Sequence, residues 1–206
     1  MSETVIQQPD TPARILHAAR SLMIEKGVLE VSLAEISQRA GTNVALVSYY
    51  FGNREGLMIA VAEADAKRAV GDLGRLLAAD ISPTSKIEAH IKGLIEAYFE
   101  FPYLHRLLQK LIREGSPSAS EKVGLELVKP VAEARRKIIA EGVARGEFRD
   151  VDASLVNFLI DGASAHIFSS VEARRVVLGE GDLHRPLIDR YVRTVTDFVI
   201  AGLSPR

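Results

Sequence analysis

Residues 40–57 read Ala40-Gly-Thr-Asn-Val-Ala-Leu-Val-Ser-Tyr-Tyr-Phe-Gly-Asn-Arg-Glu-Gly-Leu57. Gly41 stands where a tight turn needs a positive φ. Asn43 is suited to cap a helix running to about Tyr50, and Gly52–Asn53 breaks it. Wound at about 100° per residue, Leu46, Val47, Tyr50 and Phe51 share one face with the cap. Val44, Ala45, Ser48 and Tyr49 occupy the other. Just upstream, Ser32-Leu-Ala-Glu35 is a capping box that opens a second short helix, about 33–40. Ile36, Ala40, Val47 and Tyr50 fall where two helices joined by such a turn bury their apolar contacts, and Ser37 is small where they cross. The unit reads as a helix-turn-helix. The outer face of its second helix has no protein partner within the unit. It is short, uncharged and able to hydrogen-bond at one end, which suits a DNA major groove.

The same eighteen residues resemble the recognition-helix signature of the TetR family, in which a small-Gly turn leads to aromatic residues and then Gly-x-[Lys/Arg]-Glu-x-Leu. The match covers about residues 12–64. Leu46, Ser48 and Thr42 depart from the family's commoner residues. Further on, only the helix count and lengths and the turn Gly146-Glu-Phe-Arg-Asp-Val-Asp152 are similar. The resemblance implies that Ser32 and Tyr49 meet DNA phosphates and that Arg54 brings a charge there. Asn43, Val44, Ala45 and Ser48 would then meet base edges, the two apolar ones reading features such as a thymine methyl.

Outward from this unit, helical periodicity dominates and strand alternation is rare. Asp10-Thr-Pro12 opens a first helix that Gly27 closes. One long helix follows from Arg54 to about Ala79, and others span about 83–100 and 102–115. A helix over 118–145 is expected to kink at Pro130. Two more, 153–177 and 183–203, finish the chain. The expectation is an all-α protein of about nine helices. Residues 1–57 would form a three-helix DNA-binding domain and residues 58–206 a helical effector and dimerisation domain.

The 206 residues are 47% hydrophobic and 26% charged, with net charge −1, so any DNA-binding surface must be local. From Arg14 to Leu57, Arg14, Arg20, Lys26, Arg39 and Arg54 stand against Glu25, Glu30, Glu35 and Glu55, leaving +1. Specific binding should therefore depend on two copies acting together. The absence of cysteine excludes disulfides and thiolate chemistry and fits a reducing cytoplasm. Met1–Pro12 is polar and has no apolar core of a secretory signal, and no run reaches the roughly 20 apolar residues of a membrane span. The five histidines have no metal-ligand spacing, and neither a phosphate loop nor a nucleophile elbow is present. No metal, cofactor or enzymatic activity is implied.

Within 153–171, Asn157, Asp161 and His166 interrupt a helix otherwise apolar nearly all round. They would either satisfy one another across a dimer axis or line a pocket. The last two helices supply the surfaces of the four-helix bundle through which the family forms homodimers. A small apolar or aromatic effector with one or two polar groups is expected between the 99–107 segment and the 155–168 helix. Phe99, Tyr103, His105, Leu107, Phe158 and His166 are the candidate contacts. The chain is then a ligand-responsive regulator, in the first instance a repressor of a palindromic operator. Two other readings remain open: a structural, nucleoid-type DNA-binding protein without an inducer, and a helical small-molecule carrier with a vestigial helix-turn-helix.

Overall fold

Asp10 accepts the amide of Ala13 and so starts α1 (Thr11–Lys26), which ends on Gly27 at φ 66°. These details come from a computed structural model that describes residues 10–205, except the side chains of 68–70. The polar segment read as no secretory signal lies almost wholly outside the described residues. The Ser32–Glu35 box opens α2 (Leu33–Arg39), and Asn43 caps α3 (Val44–Phe51). Asn53 then caps α4 (Arg54–Ala78), the longest helix, which packs against α1, α3, α5, α6, α7 and α8. One core joins all of this: Ile15, Met23, Ile36, Val47 and Leu57 at one end run into Ile87, Ile91 and Ile95 of α5 (Pro83–Glu100).

Beyond α5 lie α6 (Leu104–Glu114), α7 (Pro117–Val123), α8 (Lys129–Ala144), α9 (Ala153–Ala165), α10 (Val171–Leu178) and α11 (Arg185–Leu203). No strand occurs among the described residues. The expected kink at Pro130 takes the form of one widened π-turn, Gly124–Val128, between α7 and α8. Proline at position 130 offers no amide and its ring crowds the carbonyl four residues back, so the preceding turn opens. The segment 153–177 is two helices rather than one. A 3₁₀ turn at His166–Phe168 ends α9, the Ser169 hydroxyl donates to the His166 carbonyl, and Ser170 caps α10 by accepting from Ala173. Serine side chains bonding nearby backbone compete with helix continuation here. With α7 and α8 counted as one interrupted rod, this makes ten helices among the described residues, where about nine were expected.

The 145–150 turn is fastened on both sides. Phe148 lies buried against Gly142, where an added Cβ would come within 2.0 Å of its ring. Arg149 gives its amide to the Leu203 carbonyl and its Nε to that of Gly202, so a cation closes the C-terminus of α11.

Candidate nucleic-acid interface and effector region

The turn between α2 and α3 has Gly41 at φ 63°, and Val47 and Ile36 are buried as expected. The buried face of α3 is narrower than its sequence suggested. Leu46 is 38% exposed and Tyr50 43%, so Tyr50 is not core; its ring meets Tyr49 edge-on at 5.2 Å. A helix of two turns seated on α2 and α4 buries one row of side chains, and Val47 with part of Phe51 fills it. Val44, Ala45 and Tyr49 are exposed and Ser48 half-exposed, with Tyr49 at 79%. The structure brings these four residues together on one accessible surface. Asn43 at its edge already spends its side-chain oxygen on the Leu46 amide.

The charged and capping candidates are more committed than the sequence indicated. Ser32 accepts from the Glu35 amide, and its own hydroxyl donates to the Glu35 carboxylate. Arg54 donates Nε to the Val31 carbonyl at 3.1 Å and Nη2 to that of Leu29 at 2.8 Å. Its cation is therefore a fixed brace between α4 and the α1–α2 loop. Its neighbour Glu55 accepts from the amide and hydroxyl of Ser116, the cap of α7. Lys26 pairs with Glu35, and Arg39 is bidentate to Glu25 at 2.7 and 2.9 Å. Those partners hold both carboxylates below their usual range, Glu35 at about 2.

Besides the Glu55–Ser116 contact, further side chains tie the module to the rest of the chain. Asp65 of α4, nearly fully buried, takes Arg20 of α1 at 2.5 Å and the Tyr103 hydroxyl at 2.5 Å. Burial raises the Asp65 carboxyl, against the pull of Tyr103 and Arg20. From α6, Arg106 donates to the Gly27 carbonyl at 2.9 Å and Lys110 pairs with Glu30 at 2.8 Å.

In the C-terminal part, two of the three polar interruptions, Asn157 and Asp161, resolve within the subunit. Arg135 of α8 is fully buried. It donates Nε to His90 at 2.7 Å and Nη1 to the Asn157 side chain at 2.6 Å, and its Nη2 lies 2.7 Å from Asp161. Burial and the Arg135 charge lower the His90 pKa to about 3, so its ring is neutral and accepts the bond. Neither Arg135 nor Asp65 stood out as functional in the sequence. The signal was present: each falls in phase with a buried stripe, Ala134–Ile138–Ile139 for the first and Val61–Ala62–Ala66 for the second.

The six effector candidates do not form one site. Turning Asn157 and Asp161 inward onto Arg135 turns Phe158 outward, 73% exposed beside Leu155 and Leu159. Tyr103 is committed to Asp65, Leu107 is packed in the core, and the Phe99 ring carries the Arg185 guanidinium 4.8 Å above it. His105 opens onto a cavity of about 330 Å³ with α6 and Leu29. His166 opens onto another, of about 360 Å³, between the end of α9, α10 and α11. Among the described residues no helix is long and apolar enough to cross a membrane, and no three acidic or histidine side chains converge as a metal site.

A glycine-turned helix pair with an accessible, uncharged second helix, carried on a helical body, defines a DNA-binding regulator of transcription. The family model described as "Bacterial regulatory proteins, tetR family" matches residues 15–61. That described as "Tetracyclin repressor-like, C-terminal domain" matches residues 80–206, more than half of the chain. The chain belongs to the tetR family of bacterial regulators. It is similar to the HTH-type transcriptional regulator RutR of Escherichia coli strain K12, 24% identical over 192 residues that cover 93% of this chain and 90% of RutR. Its fold is also that of a TetR/AcrR-family regulator from Thermobifida fusca YX-ER1, at TM-score 0.71 and 24% identity over 94% of this chain and 98% of that one. The regulator FadR of Bacillus subtilis, solved in complex with stearoyl-CoA, matches at TM-score 0.73 and 17% identity, covering 93% and 98%.

Proposed function

We propose that the protein is a dimeric repressor that leaves its operator when a small molecule binds the helical body. The observation that carries the DNA half is the accessible row Val44, Ala45, Ser48 and Tyr49 on a helix whose opposite side is seated in the core. Ser48 and Asn43 supply polar groups for base edges, Val44 and Ala45 apolar contact, and Tyr49 and Ser32 hydroxyls for phosphates. Arg54 acts from behind, as a fixed positive charge at the start of α4. Residues 1–57 are the DNA-binding unit and residues 58–206 the body that senses and dimerises.

Dimerisation is assigned to the outer faces of α9 and α11. Leu155, Phe158, Leu159 and Phe198 are 63 to 77% exposed, a concentration of large apolar side chains that wants a partner. The two-fold pairing of these helices would set two α3 helices one or more DNA turns apart, about 34 Å each. FadR's stearoyl-CoA complex supports the reading that a body of this shape responds to a largely apolar effector. Of the six effector contacts expected from sequence, His105 and His166 retain access to a cavity.

Selection of binding sites from random DNA, followed by affinity measurements on the winner, tests this reading. A palindromic site is the expected result. Ser48→Ala and Val44→Ala should alter sequence preference, whereas Arg54→Ala should weaken all sites alike. Recovery of no preferred sequence would leave the nucleoid-type reading in possession.

A further inference from the structure

The cavity between α10 and α11 has apolar walls, among them Ile167, Val177, Leu187 and Tyr191, and its lining also carries His166, Arg174 and Arg190. Among the described residues no acidic side chain lines it. Arg174 is almost fully buried, yet its hydrogen bonds go to neutral groups: Nε to the Gly181 carbonyl and Nη1 to that of Ile167, each at 2.7 Å. A cation withdrawn from water and hydrogen-bonded to carbonyls favours an anion beside it. Asp182 acts on Arg174 through its charge and Glu180 lies 3.8 Å from Arg190, but neither carboxylate lines the cavity. The outer wall is slight. α10 has eight residues and packs closely on no other helix, and its Val176 and Val177 are 77 and 78% exposed.

We propose that this cavity binds an amphipathic anion, a carboxylate on a medium-length apolar chain, with the head at Arg174, Arg190 and His166 and the chain against Val177 and Leu187. The proposal rests on the reading of the chain as an effector-responsive regulator and names the site and the class of effector. Its position suits that role. His166, Ile167 and Ser170 line the cavity, while Ser169, in the same segment, lines the second cavity with α6 and Leu29. Phe168 meets Tyr98 at 5.9 Å, and Tyr98 meets His105 of α6 at 5.6 Å. α6 in turn holds the α1–α2 loop through Arg106 and Lys110. An occupant that displaces 166–170 therefore displaces a support of the DNA-binding helices.

Titration calorimetry of the DNA-free protein with decanoate, decanol and decyltrimethylammonium tests the site. Decanoate should bind once per chain, and decanol and the cation at least about tenfold more weakly. Ala173→Trp, which fills the cavity from an exposed position, should abolish binding, and Arg190→Glu should weaken it about tenfold while the circular dichroism is unchanged. Equal affinity for decanol, no decanoate binding, or binding indifferent to Ala173→Trp would overturn the proposal. So would loss of the native oligomer in Ala173→Trp, since the cavity would then belong to a contact between subunits. Release of selected operator DNA by decanoate is measured separately. Binding at the cavity without release would count against the effector reading and leave the site standing.

Discussion

α3 and α9 are both short helices whose sequences are apolar almost all round, and the molecule uses them in opposite ways. α3 buries one row, Val47 and part of Phe51, and turns Ala45, Ser48 and the hydroxyl-bearing Tyr49 and Tyr50 outward, with Val44 and Leu46 exposed at 41 and 38%. α9 buries Asn157 with its core residue Ile160, turns Asp161 onto Arg135, and turns Leu155, Phe158 and Leu159 outward. What faces solvent in α3 suits the polar edges of a groove. What faces solvent in α9 suits another apolar surface. The size and polarity of the outward residues therefore separate the helix proposed to read DNA from the helix proposed to pair subunits, and average hydrophobicity does not.

The largest effect should come from the inner side of α9. Arg135→Ala leaves Asn157 and the part-exposed Asp161 without their cation and empties a fully buried site, which costs about 3 kcal/mol, the low end for a broken buried pair because water still reaches Asp161. In a domain of this size that lowers the melting temperature by about 10 °C. Thermal denaturation measures it, and a variant that melts with the wild type would show that Arg135 is not the hub of the body. Substitutions at Ser48 or Val44, on the other helix, should leave melting unchanged.

The outer side of α9 comes next. Phe158→Asp places a charge in the proposed subunit contact, and sedimentation should show monomers. Operator affinity should fall at least about a hundredfold, because a single half-site loses the gain of two-site binding. A dimer that survives both this change and Phe198→Asp would move the interface elsewhere.

How much could be read in advance follows from the same contrast. α1 to α3, their caps, Gly41 and the accessible row of α3 were all legible, because each depends on residues within four positions of one another. Tyr50 was misplaced because helical phase gives a direction but not how wide a face the neighbours cover. On α9 the polar interruptions were legible but not the way they face, because the partner of Asn157 and Asp161 is Arg135, 22 and 26 residues away and on a different helix. Periodicity within a segment carries no trace of that. The breaks at 166–170 and 124–128 were half legible: Pro130 announced one, while Ser169 and Ser170 were not read as competitors for the backbone.

His90 offers a further test of the buried side. Its folded pKa of about 3 lies below the ordinary 6.5, so the folded state disfavours the protonated ring. The contribution to stability is whole above pH 6.5 and is lost as pH falls from 6.5 towards 3. At about 1.4 kcal/mol per pH unit, roughly 2 kcal/mol should be gone at pH 5. Chemical denaturation across pH 5–7 should show this slope, flattened in His90→Gln, whose amide oxygen can still accept from Arg135. Burial lowers His105 too, so a smaller slope of the same sign should remain. An unchanged slope in His90→Gln would mean that other groups carry it.

The smallest effect returns to the DNA-binding side. Arg39 ends α2, close to α3, and is held by Glu25 through two hydrogen bonds with both side chains largely exposed. An exposed pair of this kind contributes little to stability, but while it persists it withholds a cation from DNA. Lys26 is withheld by Glu35 in the same way, which leaves a module of net charge +1 with few uncommitted cations. Glu25→Gln removes the competitor without removing Arg39. Affinity should rise about threefold for operator and unrelated DNA alike, and the dependence on salt should steepen by about one ion per subunit. Melting should hardly change. The rise must be independent of sequence, because a freed guanidinium meets phosphates and reads no base. A gain confined to the operator would mean that Arg39 reaches a base edge, and no gain at all would mean that it lies beyond reach of the DNA backbone.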